Sequence, residues 1–129
     1  MVYGKDCKGN FPKLVRLVRM LPVFPEYPNR RAMIHIDNLC VFLDNLVRAG
    51  SSGTFFPQNA APVCTSDAAR HIAQALGKNL RTTTAFNGLI QRGMCVGVVN
   101  KLFGDFVYEG PDSVPMAHIL LEESVQKSV

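Results

Sequence analysis

The order of three segments near the start of the chain constrains the fold most. The chain opens with Val2-Tyr3-Gly4, continues with a basic amphipathic segment, and then reaches a run from Arg31 to Leu39 that is typical of a strand entering a helix. Short β-prone runs continue to alternate with segments of helical periodicity further along. This alternation predicts an α/β fold with a small mixed sheet and several helices.

The first helix is predicted to run from Asn10, as its N-cap, to about residue 20, before Pro22. Its apolar residues recur at helical spacing on one face, and they are Phe11, Leu14, Leu17, Val18 and Leu21. Its basic residues lie three apart on another face, and they are Lys13, Arg16 and Arg19. The pattern predicts an amphipathic helix with one cationic face.

Five further helical segments and several strands follow. A second helix is predicted to begin at Asp37 or Asn38, with a buried stripe made of Leu39, Phe42, Leu43 and Leu46. A third is predicted from Thr65-Ser66-Asp67, followed by helical pieces around 86–91 and 96–103 and a last helix over 119–126. Short strands are predicted over 21–24, 33–36, 54–57 and 80–84, and Gly110-Pro111-Asp112 is predicted to turn.

Length and composition favour one globular unit over residues 1–129. The 129 residues are 47% hydrophobic, enough for a core, and no apolar run approaches the roughly 20 residues of a membrane-spanning helix. No leader peptide is recognised, so a cytoplasmic protein without a membrane partner is expected. The four cysteines are far apart, which predicts reduced, mostly buried thiols and no metal site.

Positive charge is concentrated at the start of the chain. The net charge of the whole chain is +4, whereas residues 1–31 contain seven basic and two acidic residues and therefore carry +5. An anionic ligand is expected to bind there. A solvated basic face without a ligand explains the same composition equally well.

A catalytic centre is not recognised. The sequence contains no glycine-rich dinucleotide-binding loop after a strand and no Tyr-x-x-x-Lys. His35 is interpreted as a core residue that satisfies a backbone carbonyl, and His71 as a helix-flank residue. His118 is left without a role, so no residue of the chain is assigned to catalysis.

Taken in order, these motifs resemble the C-terminal portion of the NAD-dependent epimerase/dehydratase family, the extended short-chain dehydrogenases, and most closely its UDP-glucose 4-epimerase-like members. Val2-Tyr3-Gly4 is similar to the strand end that leads from the nicotinamide pocket to the substrate loop. Leu21-Pro22-Val23-Phe24 matches the Leu-x-x-Phe segment that lines uracil in those epimerases. The run from Arg31 to Leu39 resembles their Arg-x-x-x-His-x-x-Asp strand, which brings an arginine onto the diphosphate, and Arg30 is a close second candidate for that arginine. Ala32, Met33 and the position of Asp37 depart from the pattern.

The resemblance implies a site. Substrate-binding residues would be Asn10, Phe11, Pro22, Phe24 and Arg31, with Asn10 at a helix N-terminus and Arg31 both on the diphosphate. Tyr3 would lie near the sugar or the NAD cofactor. Lys101 is interpreted as a surface lysine, and Asp37 as a helix cap.

The resemblance also implies a function for a larger enzyme. The chain would be the substrate-binding part of an NAD-dependent UDP-sugar 4-epimerase, inactive without an N-terminal NAD-binding half. Helices that would pack on that half should expose apolar surface, which predicts that the isolated chain rearranges or pairs as a homodimer. Two alternatives stay open: a sugar-nucleotide reductase or dehydratase of the same family, and a non-catalytic basic module, although no nucleic-acid-binding motif is recognised.

Overall fold

Short parallel strand pairs and helices alternate along the chain. A computed structural model describes residues 1–108, 113–116 and 119–129. In these residues the strands are β1 (Val2–Tyr3), β2 (Val23–Pro25), β3 (Ile34–His35), β4 (Phe56–Asn59), β5 (Arg81–Thr83) and β6 (Ser113–Met116). They pair in parallel as β1 with β3, β2 with β5, and β4 with β6. The predicted α/β class is confirmed, and its small sheet takes the form of three two-stranded pairs.

The described residues contain six helices close to the predicted positions. They are α1 (Asn10–Met20), α2 (Ile36–Arg48), α3 (Thr65–Ala75), α4 (Asn87–Gly93), α5 (Gly97–Phe103) and α6 (Leu121–Ser128). The last begins two residues later than the sequence indicates. The turn predicted at 110–112 and His118 lie outside the described residues. No helix in the described part of the chain is both long and apolar enough to cross a bilayer.

The core forms where α1 and α3 pack together. Phe11 and Val18 on α1 are buried against the cluster that includes Ala69 and Ile72 on α3. Small alanine side chains on α3 allow the two helices to approach closely. The apolar face predicted on α1 is confirmed at Phe11, Leu14 and Val18, whereas Leu17 is half-buried and Leu21 lies beyond the helix and is exposed. Gly77 ends the α3 region with φ of +65°, a conformation that glycine adopts without a steric penalty.

The buried stripe predicted on α2 is wrong. Leu43 is 47% exposed and Val47 is 79% exposed, whereas Leu39 is half-buried. Within α2, all of whose residues are described, the buried side chain is Asn38. Leu43 lies roughly 140° around the helix from Asn38 and therefore points away from the strands on which α2 packs.

The N-cap predicted for α2 is also corrected. The cap is His35, whose Nδ1 accepts a hydrogen bond from the Asp37 backbone N–H at 3.3 Å. The His35 ring is buried as predicted, but its ring nitrogen accepts a hydrogen bond from this N–H instead of donating one to a carbonyl. Asp37 and Asn38 therefore follow the cap in the first turn of the helix.

The four cysteines are free thiols and form no disulfide bond in the structure, and they are less buried than predicted. Cys40 and Cys95 are exposed, and Cys7 and Cys64 are half-buried. The exposed pair lies on the outer side of α2 and beside α4, where no apolar layer covers the helices in the described structure.

Buried amides connect the strand layer to α2 and α6. The Asn59 side chain donates to the Tyr3 hydroxyl at 3.1 Å and accepts from Asn38 Nδ2 at 3.2 Å. Asn38 in turn exchanges two hydrogen bonds with the Ile119 backbone, at 2.8 and 3.1 Å. The Tyr3 hydroxyl also contacts Ser124 Oγ at 2.6 Å. Burial raises the pKa of Tyr3 above its ordinary value, so the phenol stays protonated in this network.

Lys78 is predicted to stabilise the C-terminal end of α1. Its ammonium donates to the carbonyl oxygens of Val18, Arg19 and Leu21 at 2.6, 2.9 and 2.8 Å. A cation at a helix C-terminus donates hydrogen bonds to carbonyl groups that have no partner within the helix, and it interacts favourably with the negative end of the helix dipole. We expect Lys78→Met to lower the free energy of unfolding by about 1–2 kcal/mol in urea denaturation. Lys8→Met, at an exposed loop position, should change it by less than about 0.5 kcal/mol.

His35 predicts a pH dependence of stability. Burial is the main cause that lowers its pKa below the ordinary 6.5, while Asp37 raises it by a smaller amount. His35 therefore binds a proton more readily in the unfolded chain than in the folded chain. Its contribution to the free energy of unfolding is complete above pH 6.5 and is lost as the pH falls through the pKa of the folded state. Urea denaturation between pH 7.5 and 5 should show this loss. His35→Asn, which retains a capping oxygen, should reduce the slope; an equally steep slope would refute the assignment.

Candidate functional site

Three adjoining clefts form one groove between α1 and α5. Lys101 lines all three clefts, Asn10 lines two of them, and Arg31 lines two. The cleft along α1 has a volume of about 370 Å³, and the cleft at Arg31 has a volume of about 340 Å³. A constriction of about 10 Å³ shares residues with both. It is lined by Asn10, Arg31 and Lys101 and, beside them, by Thr65 and the apolar residues Met1, Leu14, Met33, Ala68 and Leu102. We call this the cationic groove. Its polar lining includes Asn10, Lys13, Arg16, Arg31 and Lys101, together with Thr65, Asn100 and Asp105.

The groove has a strong positive charge along its length. Lys13 and Arg16 border its α1 end, Arg31 borders the other end, and Lys101 lies between them. Asp105 adds one carboxylate beside Arg31. Four cations against one anion in a concave surface attract anionic ligands more strongly than scattered surface charges do.

Arg31 is fixed at its backbone and partly fixed at its guanidinium. Its backbone forms an antiparallel bridge with Val63, and its Nη1 donates to the Gly104 carbonyl at 2.7 Å. Burial is the main cause that lowers the pKa of Arg31, and Asp105 opposes the shift, but an arginine stays charged at neutral pH. Because the guanidinium carries five N–H donors, one anchored nitrogen leaves others that can bind phosphate oxygens.

The N-terminus of α1 opens beside the constriction. The N-cap is Gly9, with φ of +122°, and no side chain forms a capping hydrogen bond there. Asn10 is therefore the first residue of the helix, and its predicted role as the cap is wrong. A glycine can adopt this φ, which lets the preceding loop turn sharply into α1. The first-turn N–H groups and the positive end of the helix dipole add to the anion-attracting field of the cations.

A second set of buried hydrogen bonds positions the α5 wall of the groove. Asn29, which is 3% exposed, donates to Thr65 Oγ1 at 2.8 Å and accepts from the Thr65 backbone N–H at 2.9 Å. The Thr65 hydroxyl donates to the Leu102 carbonyl at 2.7 Å. These bonds join the start of α3 to the end of α5, and so they fix Leu102 and its neighbour Lys101 opposite α1.

Two of the six predicted ligand residues line the groove, namely Asn10 and Arg31. Tyr3, Phe11 and Phe24 have 0%, 1% and 1% exposure and belong to the core. The Tyr3 ring packs against Phe11 with centroids 4.9 Å apart, and its hydroxyl is bonded within the buried network. Pro22 is exposed, but it does not line the groove. Three of the predicted ligand-binding residues therefore belong to the core and do not line the groove.

Several groove residues were not identified from the sequence as site residues. Lys13 and Arg16 belong to the predicted cationic face of α1, and Lys101 was assigned to the surface. Leu17 and Met20 were read only as apolar or terminal positions of α1. These residues form a groove only because α5 packs opposite α1. Local sequence patterns do not reveal such a contact between two helices that are distant in the sequence.

A second concave surface lies between α3 and the start of α6. It has a volume of about 330 Å³ and is lined in part by Cys64, Asp67 and His71. The buried Nδ1 of His71 has no hydrogen-bond partner in the described structure. No group of three or more His, Cys, Asp or Glu side chains suited to a metal ion occurs in the described part of the chain. The lining of this surface contains Asp67 and, among the described residues, no lysine or arginine, so it attracts anionic ligands less strongly than the cationic groove does.

Comparisons with known proteins support the fold. No family model matches the sequence, and no curated protein matches it in sequence. Among solved structures, the chain is similar to an NADP complex of dTDP-4-dehydrorhamnose reductase from Bacillus anthracis, with a TM-score of 0.58 and 15% identity. The alignment covers 97% of this chain and 44% of the reductase, so the chain spans less than half of that protein. The similarity shows that the chain shares the fold of the aligned region of that structure.

Proposed function

We propose that this chain is the substrate-binding part of an NAD(P)-dependent enzyme that acts on a nucleotide sugar. The observation that carries the proposal is the convergence of Arg31, Lys101 and the N-terminus of α1 on one constriction. The constriction itself is too small for a diphosphate, but a diphosphate bound at its mouth, in the adjoining clefts, would meet a guanidinium fork, an ammonium and a helix N-terminus together. Each of these groups recognises phosphate oxygens, and their combination suits two linked phosphoryl groups.

Within this proposal, a sugar-nucleotide reductase is better supported than a UDP-sugar 4-epimerase. The reductase reading is supported by the similarity of 97% of the chain to a dTDP-4-dehydrorhamnose reductase. The epimerase reading relied in part on Phe24 lining the uracil, and Phe24 is 1% exposed. Because the matched reductase contains NADP, we write the cofactor as NAD(P).

The proposal gives this chain a binding role and leaves the chemistry to another part of the enzyme. A nicotinamide cofactor would supply hydride transfer, and a dinucleotide-binding half that precedes this region would bind it. The one residue of this chain expected near the cofactor, Tyr3, does not fit that task because its ring is buried and its hydroxyl is engaged. The chain's own groups therefore bind and orient the diphosphate, and we expect no turnover by the 129 residues alone.

An exposed apolar surface on α2 supports the expectation of a larger assembly. Leu43 and Val47 are 47% and 79% exposed on the side of α2 that faces away from the strands. Such a surface is typical of a helix that is covered by a further layer. We propose that the remaining half of the enzyme or a second copy of the chain covers it, so the homodimer stays a prediction.

Replacing Arg31 tests the diphosphate site. We expect Arg31→Ala to weaken binding of UDP about 10- to 100-fold in titration calorimetry, because a charge-assisted pair of hydrogen bonds is lost. Arg31→Lys should restore part of the affinity through its charge, but without the planar fork. Arg19→Ala removes an exposed charge of α1 outside the groove and should change UDP affinity by less than about threefold.

Two outcomes would contradict the proposed function. One is equal UDP affinity in the wild-type chain and Arg31→Ala. The other is salt-sensitive binding of a single-stranded oligonucleotide by a chain that does not bind UDP, which would favour the basic binding module.

A further inference from the structure

We propose that the base of the bound nucleotide lies in the α1 cleft of the cationic groove, on the apolar side chains of Leu17, Met20 and Leu102. This inference rests on the proposed function, because it assumes a nucleoside diphosphate held at Arg31. In this inference the α1 cleft replaces the Leu-x-x-Phe segment as the element that binds the base. No ligand-binding role was predicted from the sequence for Leu17, Met20 or Leu102.

The segment expected to bind the base, Leu21 to Phe24, does not line the groove. Phe24 is 1% exposed and packs against Phe103, with ring centroids 6.0 Å apart. Pro22 is exposed, but neither it nor Phe24 lines any of the three clefts of the groove. A base attached to a diphosphate in the groove must therefore contact other residues.

The α1 cleft offers an apolar surface in the required place. Met20 is 68% exposed, Leu17 is half-buried, and Leu102 forms the opposite wall. Leu102 is fixed because its carbonyl accepts hydrogen bonds from Thr65 Oγ1 and Asn29 Nδ2. A thioether and two isobutyl groups can pack on the face of a heterocycle, and the exposure of Met20 leaves surface that a ligand would bury.

The cleft also lies at a suitable distance from the phosphate site. Asn10 lines both the constriction and the α1 cleft. Leu17 and Met20 follow it by seven and ten residues on α1, which places them about 10–15 Å further along the helix axis. A diphosphate at the constriction would therefore direct its ribose along α1 and its base toward Leu17 and Met20.

The rim of the α1 cleft favours one chemical class of base. Lys13, Arg16 and Lys101 border the cleft, and their side chains carry hydrogen-bond donors and no acceptors. Uracil and thymine present two carbonyl acceptors on either side of one N3–H donor. Adenine presents ring-nitrogen acceptors beside an amino donor, and a rim that carries only donors leaves that amino group without a partner. The rim therefore complements a pyrimidine dione better than it complements adenine.

A comparison of two ligands separates the base contact from the phosphate contact. In titration calorimetry of the 129-residue chain, we expect Met20→Asn to weaken UDP binding about tenfold through lost apolar contact. Binding of inorganic pyrophosphate should change by less than about twofold, because the constriction is intact. Met20→Leu should restore UDP affinity, and Leu21→Asn, next in sequence but outside the cleft, should leave it unchanged. Wild-type chain should prefer UDP to ADP.

The outcomes distinguish this inference from the proposed function. If UDP and pyrophosphate both bind but Met20→Asn weakens neither or both equally, the base assignment is overturned and the diphosphate site stands. If the wild-type chain binds neither ligand, both are overturned. If decyl phosphate binds more tightly than UDP and Met20→Asn abolishes that preference, the cleft binds an alkyl chain and the nucleobase assignment is wrong.

Discussion

Buried amide side chains must be hydrogen-bonded, and this constraint determines how the parts of the molecule fit together. Asn29, Asn38 and Asn59 are 3%, 0% and 6% exposed. A buried polar group without a partner costs about 1–3 kcal/mol, so these amides favour the one arrangement in which their partners are in place. Hydrogen bonds of Asn59 and Asn38 connect β1, β4 and α2 to the segment before α6. Hydrogen bonds of Asn29 connect the start of α3 to the end of α5. The short parallel strands, only two to four residues long, contribute few ladder bonds of their own.

The same constraint connects the fold to the proposed function. Because Asn29 and Thr65 fix the Leu102 carbonyl, α5 lies opposite α1 with Lys101 between the two clefts. Arg31 is fixed independently by its bridge to Val63. The groove is therefore largely formed before a ligand binds, which lowers the entropic cost of recognising a flexible diphosphate. Its cations derive from a face of α1, from a bridge residue between β2 and β3, and from α5, and so the tertiary fold brings them together.

The sequence predicts the elements of this structure better than it predicts which way side chains point. Helical periodicity located the helices, and Asn10 and Arg31, which were expected to bind one ligand, line the same constriction. Phe24 and Tyr3 were expected at the ligand, yet they are buried, because an aromatic residue at a strand end suits a core and a ligand pocket equally well. Local pattern also assigned Leu43 to a buried stripe. A wide apolar arc does not reveal which of its sides packs against the rest of the chain.

The location of the ligand is the most direct test of this account. Two-dimensional amide spectra of isotope-labelled chain, titrated with UDP, would report the contacted residues one by one. The account predicts saturable shifts at Asn10, Leu17 and Lys101, with Cys64 and His71 unchanged. Shifts concentrated at Cys64 and His71, in the cleft between α3 and α6, would contradict it, as would a spectrum that UDP does not change.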